Sequence, residues 1–357
     1  MPIASKKNQK KTTTTKAKQN WFIRRYTNIR KRIDAFLKRR PHRSFRMTRR
    51  RDYIRPLVLP GLISFTHEVT RTVWKYKKTF LLLSLIYVVV FIVLVGLQSQ
   101  ETYANISDTL KETGEDLFTG GWGAIGQAGI LLFSIASLNG GTSLTEVQQV
   151  FSVLTFIMIW LTTVWLLRNL LAGHKVKLRD GLYNAGSPLF AMIMVVLMIA
   201  VQLIPVGAAL IGYSAAVGSG LITGGGVPAM LFWIAAAFLA LLSLYWITSS
   251  LFAMVIVTLP GMYPYRAIRT AGDIMVGRRI KILLRWLWMV LVIAVAWAVV
   301  LIPIILLDMW IKSVWGAIAW LPLVPFVIVI AAAVTTVWMS AYIYLLYRKV
   351  VEYVPEK

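Results

Sequence analysis

Apolar residues in this chain come in long unbroken runs, not at the alternating or three-and-four spacing of a water-soluble core. Six runs occupy 79–97, 147–167, 188–212, 229–257, 282–307 and 318–346. A bilayer core of about 30 Å needs roughly 20 apolar residues wound as helix, and each run meets or approaches that length. The pattern predicts an all-α integral membrane protein with six transmembrane helices. A seventh apolar stretch, 123–138, is shorter and rich in glycine, and it ends at the Gly-Gly-Thr-Ser break of 140–143. It reads as an interfacial or re-entrant helix, or as a further span. The first run lies too far from residue 1 to be a signal peptide, so it is expected to stay as a signal anchor.

Charge gives the spans a direction. Lys75, Lys77 and Lys78 precede the first run, and Arg168, Lys175, Lys177 and Arg179 follow the second. Arg266, Arg269, Arg278, Arg279 and Lys281 follow the fourth, with Arg285 at the membrane edge, and Arg348 and Lys349 close the sixth. The alternate loops hold only Lys111 and Lys312, against Glu101, Asp108, Glu112, Glu115 and Asp116 in the first of them. Cytoplasmic loops carry the excess of Lys and Arg. Both termini are therefore expected in the cytoplasm, in the plasma membrane of a bacterium.

Residues 1–78 hold 24 Lys and Arg against Asp34, Asp52 and Glu68, leaving 15 of 39 basic and 11 of 14 acidic residues for the rest of the chain. Three regions follow: a basic, largely disordered cytoplasmic tail over 1–55, a six-span domain over 56–350, and a short cytoplasmic tail over 351–357. Within the first tail, Phe22, Tyr26, Ile29, Ile33 and Phe36 share one helical face over 21–37, while Arg24, Arg25, Arg30, Lys31 and Arg32 take other positions. Such an amphipathic helix suits an anionic membrane surface. No nucleic-acid motif accompanies the charge, so no specific nucleic acid is expected as a partner. The residues expected to touch anionic lipid headgroups are Arg24, Arg25, Arg30, Lys31, Arg32, Lys75, Lys77, Lys78, Arg278, Arg279 and Lys281.

Short amphipathic stretches precede the odd-numbered spans, at 62–78, 176–187 and 263–281. Each reads as an interfacial elbow that turns upward into a span. The even-numbered spans each carry a Trp followed by small polar residues, beginning at Trp160, Trp246 and Trp338. Spans three and five share Leu203-Ile204-Pro205 and Leu301-Ile302-Pro303. These features predict three elbow-helix/hairpin repeats.

Three stretches carry a family resemblance. They are 170–182, with its Ala-Gly-His-Lys centre, Leu259-Pro260 followed by 265–273 and 277–279, and 344–348 at the end of the last span. They resemble the membrane domain of bacterial glycerophosphodiester phosphodiesterases and related multi-pass proteins, over roughly 62–350. Met262 and Tyr263 stand where that family often has an acidic residue after the loop proline. The resemblance implies architecture more than mechanism, since the family's membrane part has no settled activity.

Chemistry is sparse. The phosphodiesterase reaction would need a soluble barrel of about 250 residues and clustered Glu, Asp and His, which this chain lacks. There is no cysteine, and His42, His67 and His174 are too scattered for a metal site. We expect no enzyme activity, no cofactor and no metal. The span interiors read as free of ionisable groups: Arg285 snorkels and Asp308 lies at the outer end, with Lys312 four residues on. Gln202, Thr162, Thr163, Thr248, Ser249, Ser250, Thr335, Thr336 and Ser340 read as packing groups. Pro205, Pro303, Pro322 and Pro325 are expected to kink or interrupt spans.

Two functions fit: a non-enzymatic plasma-membrane protein of envelope or lipid organisation, or one that anchors a partner at the membrane; and a permease subunit serving a separate ATPase. The second draws on the helix at 263–281, although Ala267 and Gly272 lack the spacing and the acidic residue of an ATPase-docking loop. A cytoplasmic protein partner or a second copy of the chain fits the first.

Reporter fusions are expected to place 98–145, 213–228 and 308–317 outside, and 1–78, 168–187, 260–281 and 348–357 inside. A cytoplasmic signal near Gly220 would overturn the topology.

Overall fold

The computed structural model describes residues 28–32, 59–96, 145–221, 226–315 and 322–352. The chain divides into two compact units, Met1–Arg55 and Pro56–Lys357. In the first, residues 28–32 are helical and exposed, including Arg30, Lys31 and Arg32. Arg24, Arg25 and the rest of the amphipathic helix lie outside the described residues, as does 123–138.

All regular structure described in the second unit is α-helix: α1 (Leu62–Lys75), α2 (Lys77–Leu94), α3 (Glu146–Leu171), α4 (Leu178–Ala185), α5 (Leu189–Gly218), α6 (Gly226–Ile256), α7 (Pro264–Met275), α8 (Arg279–Val314) and α9 (Leu323–Val351). Six of them, α2, α3, α5, α6, α8 and α9, are long and apolar enough to cross a membrane. The protein is a multi-pass membrane protein. Lipid offers no hydrogen-bond partners, so a spanning backbone satisfies itself as helix.

The spans pack as three hairpins, α2 with α3, α5 with α6 and α8 with α9. One side-chain bond stitches each. Tyr87 Oη and Thr162 Oγ1 lie 2.9 Å apart, Ser250 Oγ donates to Gln202 Oε1 at 2.6 Å, and Trp297 Nε1 donates to Thr335 Oγ1 at 2.8 Å. Such bonds contribute about 0.6 kcal/mol each in a membrane. The other candidate hydroxyls bond mostly within their own helices, Thr336 to Ala332 O and Ser340 to Thr336 O among them.

α1, α4 and α7 lie at one end of the bundle, where odd spans begin and even spans finish. α4 packs on α3, α7 on α6, and α1 on α9, so the first short helix seats on the last span. Each even span also touches the odd span of another hairpin: α3 meets α5, α6 meets α8, and α9 meets α2. α3 and α9 are the most enclosed, whereas α5, α6 and α8 present most of their length outward. The exposed side chains there, such as Leu197, Ile204, Phe238 and Val299, face lipid.

The helices overrun the runs that predict them. α8 extends from Arg279 to Val314, about 54 Å at 1.5 Å per residue, well beyond the hydrocarbon core. Asp308 is therefore within a helix and not in an outer loop, and it is 2% exposed with Lys312 Nζ at 2.8 Å. Pro205 and Pro303 do not break their spans; α5 and α8 run through them. Each removes the amide that would bond the Val201 or Val299 carbonyl. Pro322 caps α9 and Pro325 sits in its first turn, where a missing amide is tolerated.

Small residues let the short helices approach the spans. Ala267 and Ala271 of α7 are fully buried. A Cβ added at Gly181 of α4 would meet Leu166 Cδ2 and Cγ at 2.9 Å, and Leu166 is itself fully buried. Overpacking costs about 1–3 kcal/mol, more than the roughly 1 kcal/mol of helix propensity that Ala gains over Gly. Gly181→Ala is expected to lower Tm. Gly207→Ala, where nothing lies within 4 Å, is expected not to lower it. A stabilised Gly181→Ala protein would show that α4 is free to move off α3.

Candidate functional site: the basic end of the bundle

Helix ends, charged residues and the larger cleft meet where α1, α4 and α7 lie. Lys75, Lys77 and Lys78 are exposed there, as is Lys281. The Lys77 ammonium sits 5.1 Å from the Trp74 ring centre. Tyr183 on α4 is 86% exposed, and Tyr263 and Tyr265 at the start of α7 are nearly as open, beside exposed Arg266 and Arg269. Aromatic rings and cations at one level mark a membrane–water interface.

Arg278 and Arg279 have protein partners as well. Arg278 Nη1 donates to Val350 O at 3.3 Å. Arg279 Nη1 donates to Tyr245 O at 2.9 Å, and its guanidinium carbon lies 3.9 Å from the Tyr245 ring centre. A planar guanidinium can stack and donate together; an ammonium cannot do both in this geometry. The two arginines thereby join the start of α8 to α6 and α9, a task beyond simple charge.

Arg285 departs from the expected snorkelling position. It is 6% exposed. Its Nη2 donates to Pro60 O, and its guanidinium lies over Phe65 at 5.4 Å. Tyr342 Oη donates to the Arg285 carbonyl at 3.2 Å. Trp288 Nε1 and Trp338 Nε1 donate to Thr66 and Thr70 of α1, and Lys349 pairs with Glu68 at 2.8 Å. An ionisable group is thus buried inside the bundle, because α1 covers it and the Pro60 carbonyl, exposed just before the first helical turn, accepts from it. Periodicity could not show this; the partner is 225 residues away.

Between α3, α4, α5, the end of α6 and the start of α7 lies a cleft of about 670 Å³. Arg168, Asn184, Ser187 and Thr258 supply its polar wall, and Leu161, Trp165, Phe190 and Val257 its apolar wall. Arg168 Nη1 donates to Thr258 O at 3.0 Å and Nη2 to Thr258 Oγ1. That pairing fixes the guanidinium across the end of α6. The cleft's lining contains no Asp or Glu. The sequence places Arg168 among loop charges, but only the fold brings Thr258, Ser187 and Asn184 to it.

A second cavity, about 260 Å³, lies within the spans against Tyr87, Phe91, Trp297 and Met339. It is uncharged, and its hydroxyls at Tyr87, Thr155, Thr335 and Thr336 are already bonded. His67 and His174 are exposed at the basic end, and no metal-holding cluster occurs among the described residues.

No protein-family model, characterised protein or solved structure matches this chain.

Replacing Arg285 with Gln is expected to free α1, because the Pro60 carbonyl loses a charged donor worth about 1.5–3 kcal/mol. Trypsin should then cut faster at Arg71 and Lys75, whereas Tyr342→Phe, losing one neutral bond, should change cleavage less. Unchanged cleavage in the Gln variant would show that α1 is held without Arg285.

Proposed function

We propose that this protein is a non-enzymatic, six-span component of a bacterial plasma membrane that organises anionic lipid at the inner leaflet. In this reading both termini and the basic end lie in the cytoplasm, following the placement of Lys and Arg. The carrying observation is the set of three short helices at one end, with exposed Trp74, Tyr183, Tyr263 and Tyr265 beside Lys77, Arg179, Arg266 and Arg269. Rings at that level prefer the headgroup region. Each cation near an anionic surface adds about 1 kcal/mol of attraction.

Three copies of one elbow-and-hairpin unit account for the packing. Each short helix seats on the even span that precedes it, and the contact of α1 with α9 closes the series on itself. The resemblance to the membrane domain of glycerophosphodiester phosphodiesterases belongs to the same proposal and supports a lipid setting. Lipid headgroups are the primary partner; a cytoplasmic protein or a second copy of the chain would dock on the same face.

The permease-subunit reading finds its support in α7, whose outer face carries Tyr265, Arg266 and Arg269. Yet Ala267, Ala271 and Met275 bury its other face against α6 and α5, so the helix lies seated instead of projecting towards a partner. We therefore favour lipid organisation.

Protein extracted in mild detergent is expected to carry phosphatidylglycerol and cardiolipin above their share of the source membrane. Changing Lys77, Arg179, Arg266 and Arg269 together to Gln should return the bound lipid to the bulk composition. Bulk composition around the unaltered protein would sink the proposal, and a stoichiometric ATPase in its place would bring the permease forward.

A further inference from the structure

We propose that the cleft at Arg168 is a binding site for the phosphodiester of an anionic phospholipid of the inner leaflet. The inference deepens the lipid-organising role and rests on the basic end lying at that leaflet. It uses residues different from the exposed cations of the elbows.

Several features of one cavity converge on this ligand. The cleft holds about 670 Å³, room for a headgroup and the first part of its acyl chains. Its lining contains one cation and no acid, so its field attracts an anion. Arg168 is held by the carbonyl and hydroxyl of Thr258 and by the hydroxyl of Tyr344, which together take up part of the five N–H donors of a guanidinium. A pre-positioned guanidinium is well suited to phosphate oxygens. Ser187 and Asn184, both exposed on the same wall, add a hydroxyl and the second N–H of an amide whose nitrogen also donates to Asp180 O at 2.7 Å.

The backbone adds to the field. α5 begins at Leu189 and α7 at Pro264, and both starts border the cleft. Neither Pro188 nor Tyr263 provides a side-chain cap. Two positive helix ends therefore reinforce the charge of Arg168. Alone they would not define a site; here they flank a cavity already lined by a fixed cation.

The opposite wall separates a lipid from a free anion. Leu161, Trp165, Phe190 and Val257 line it, and Phe190 is 72% exposed. Inorganic phosphate gains nothing from that surface. A phospholipid buries its glycerol backbone and upper chains there while its phosphate meets Arg168. Net charge then selects among headgroups: a zwitterionic lipid brings its own ammonium into a cleft that has no carboxylate to receive it.

The chain has no cysteine, so one introduced thiol reports on the cleft alone. Ser187→Cys, purified in maltoside micelles, is labelled with a neutral methanethiosulfonate. The lipid-free rate is compared with rates in added phosphatidylglycerol, phosphatidylcholine or inorganic phosphate. Phosphatidylglycerol is expected to slow labelling about tenfold, the scale of one charge-assisted hydrogen bond. Phosphatidylcholine and inorganic phosphate should have little effect. Arg168→Gln in the same background should abolish the protection. Because that change also releases Thr258, Ala191→Phe provides a second test: it fills the cleft without touching Arg168 and should abolish protection too. Ser219→Cys, exposed at the opposite end of α5 from the cleft, should label at the same rate in every condition.

Equal protection by phosphatidylcholine and phosphatidylglycerol would overturn the headgroup assignment. Equal protection by inorganic phosphate would overturn the lipid and leave an anion site. Protection that survives both Arg168→Gln and Ala191→Phe would overturn the cleft. If Ser187→Cys is never protected while phosphatidylglycerol still co-purifies through the elbow cations, this inference falls and the lipid-organising role stands. If both signals are absent, the broader role falls with it.

Discussion

The buried guanidinium of Arg285 holds the beginning of the helical unit to its end. It donates to the Pro60 carbonyl and lies over Phe65, while Tyr342 of the last span bonds back to its own carbonyl. α1 precedes the first span directly, with Tyr76 the one residue between them. Fixing α1 on α8 and α9 therefore places α2 against α9 as well, and the three hairpins close into one body instead of standing as separate pairs. Inside a membrane, apolar contact alone discriminates poorly among packings, because lipid tails are as apolar as leucine. A few polar contacts with distant partners supply the selectivity. Trp288 to Thr66, Trp338 to Thr70 and Lys349 to Glu68 repeat the same tie from neighbouring turns.

Enclosure is uneven along the bundle. The large fully buried side chains Trp160, Tyr342, Phe65 and Phe252 lie in one cluster with the buried alanines of α7. Rings meet edge to face through it: Phe65 with Tyr342, and Phe252 with both Trp286 and Tyr347. A separate, smaller cluster around Trp297, Leu301 and Ile328 joins α8 to α9. Polar anchoring and aromatic packing thus coincide near the short helices, and the outward lengths of α5, α6 and α8 are left to lipid. The part of the molecule best able to hold a defined shape is the end that carries the short helices.

That coincidence shapes the chemistry. Rigid surroundings keep the Arg168 guanidinium fixed across the end of α6, and a fixed cation costs less to use than a mobile one. The elbows differ in kind: Lys77 on Trp74 and the arginines of α7 sit on an open surface, where attraction is broad and salt-sensitive. One end of the bundle so combines a diffuse cationic surface with a cleft built around one fixed cation.

The sequence alone determined that the chain is helical, that six helices are long enough to span, and where the short helices fall. Each of these depends on local pattern: unbroken apolar length, or small and basic residues at helical spacing. The short helices predicted at 62–78, 176–187 and 263–281 appear at 62–75, 178–185 and 264–275. Tertiary structure decided what the charged residues do. Arg285 reads as a snorkelling residue because nothing near it in sequence can receive it, and the fold supplies Pro60 from 225 residues away. Asp308 reads as lying at the outer end of the fifth span because the apolar run stops there, but α8 continues past it to Val314 and its side chain is buried. Arg168 reads as one loop charge among four until α4, α5 and the end of α6 build a cleft around it. Span length follows from the solvent, which acts on every residue in a run alike. The position of a buried charge follows from a few specific partners, and only the folded chain brings those together.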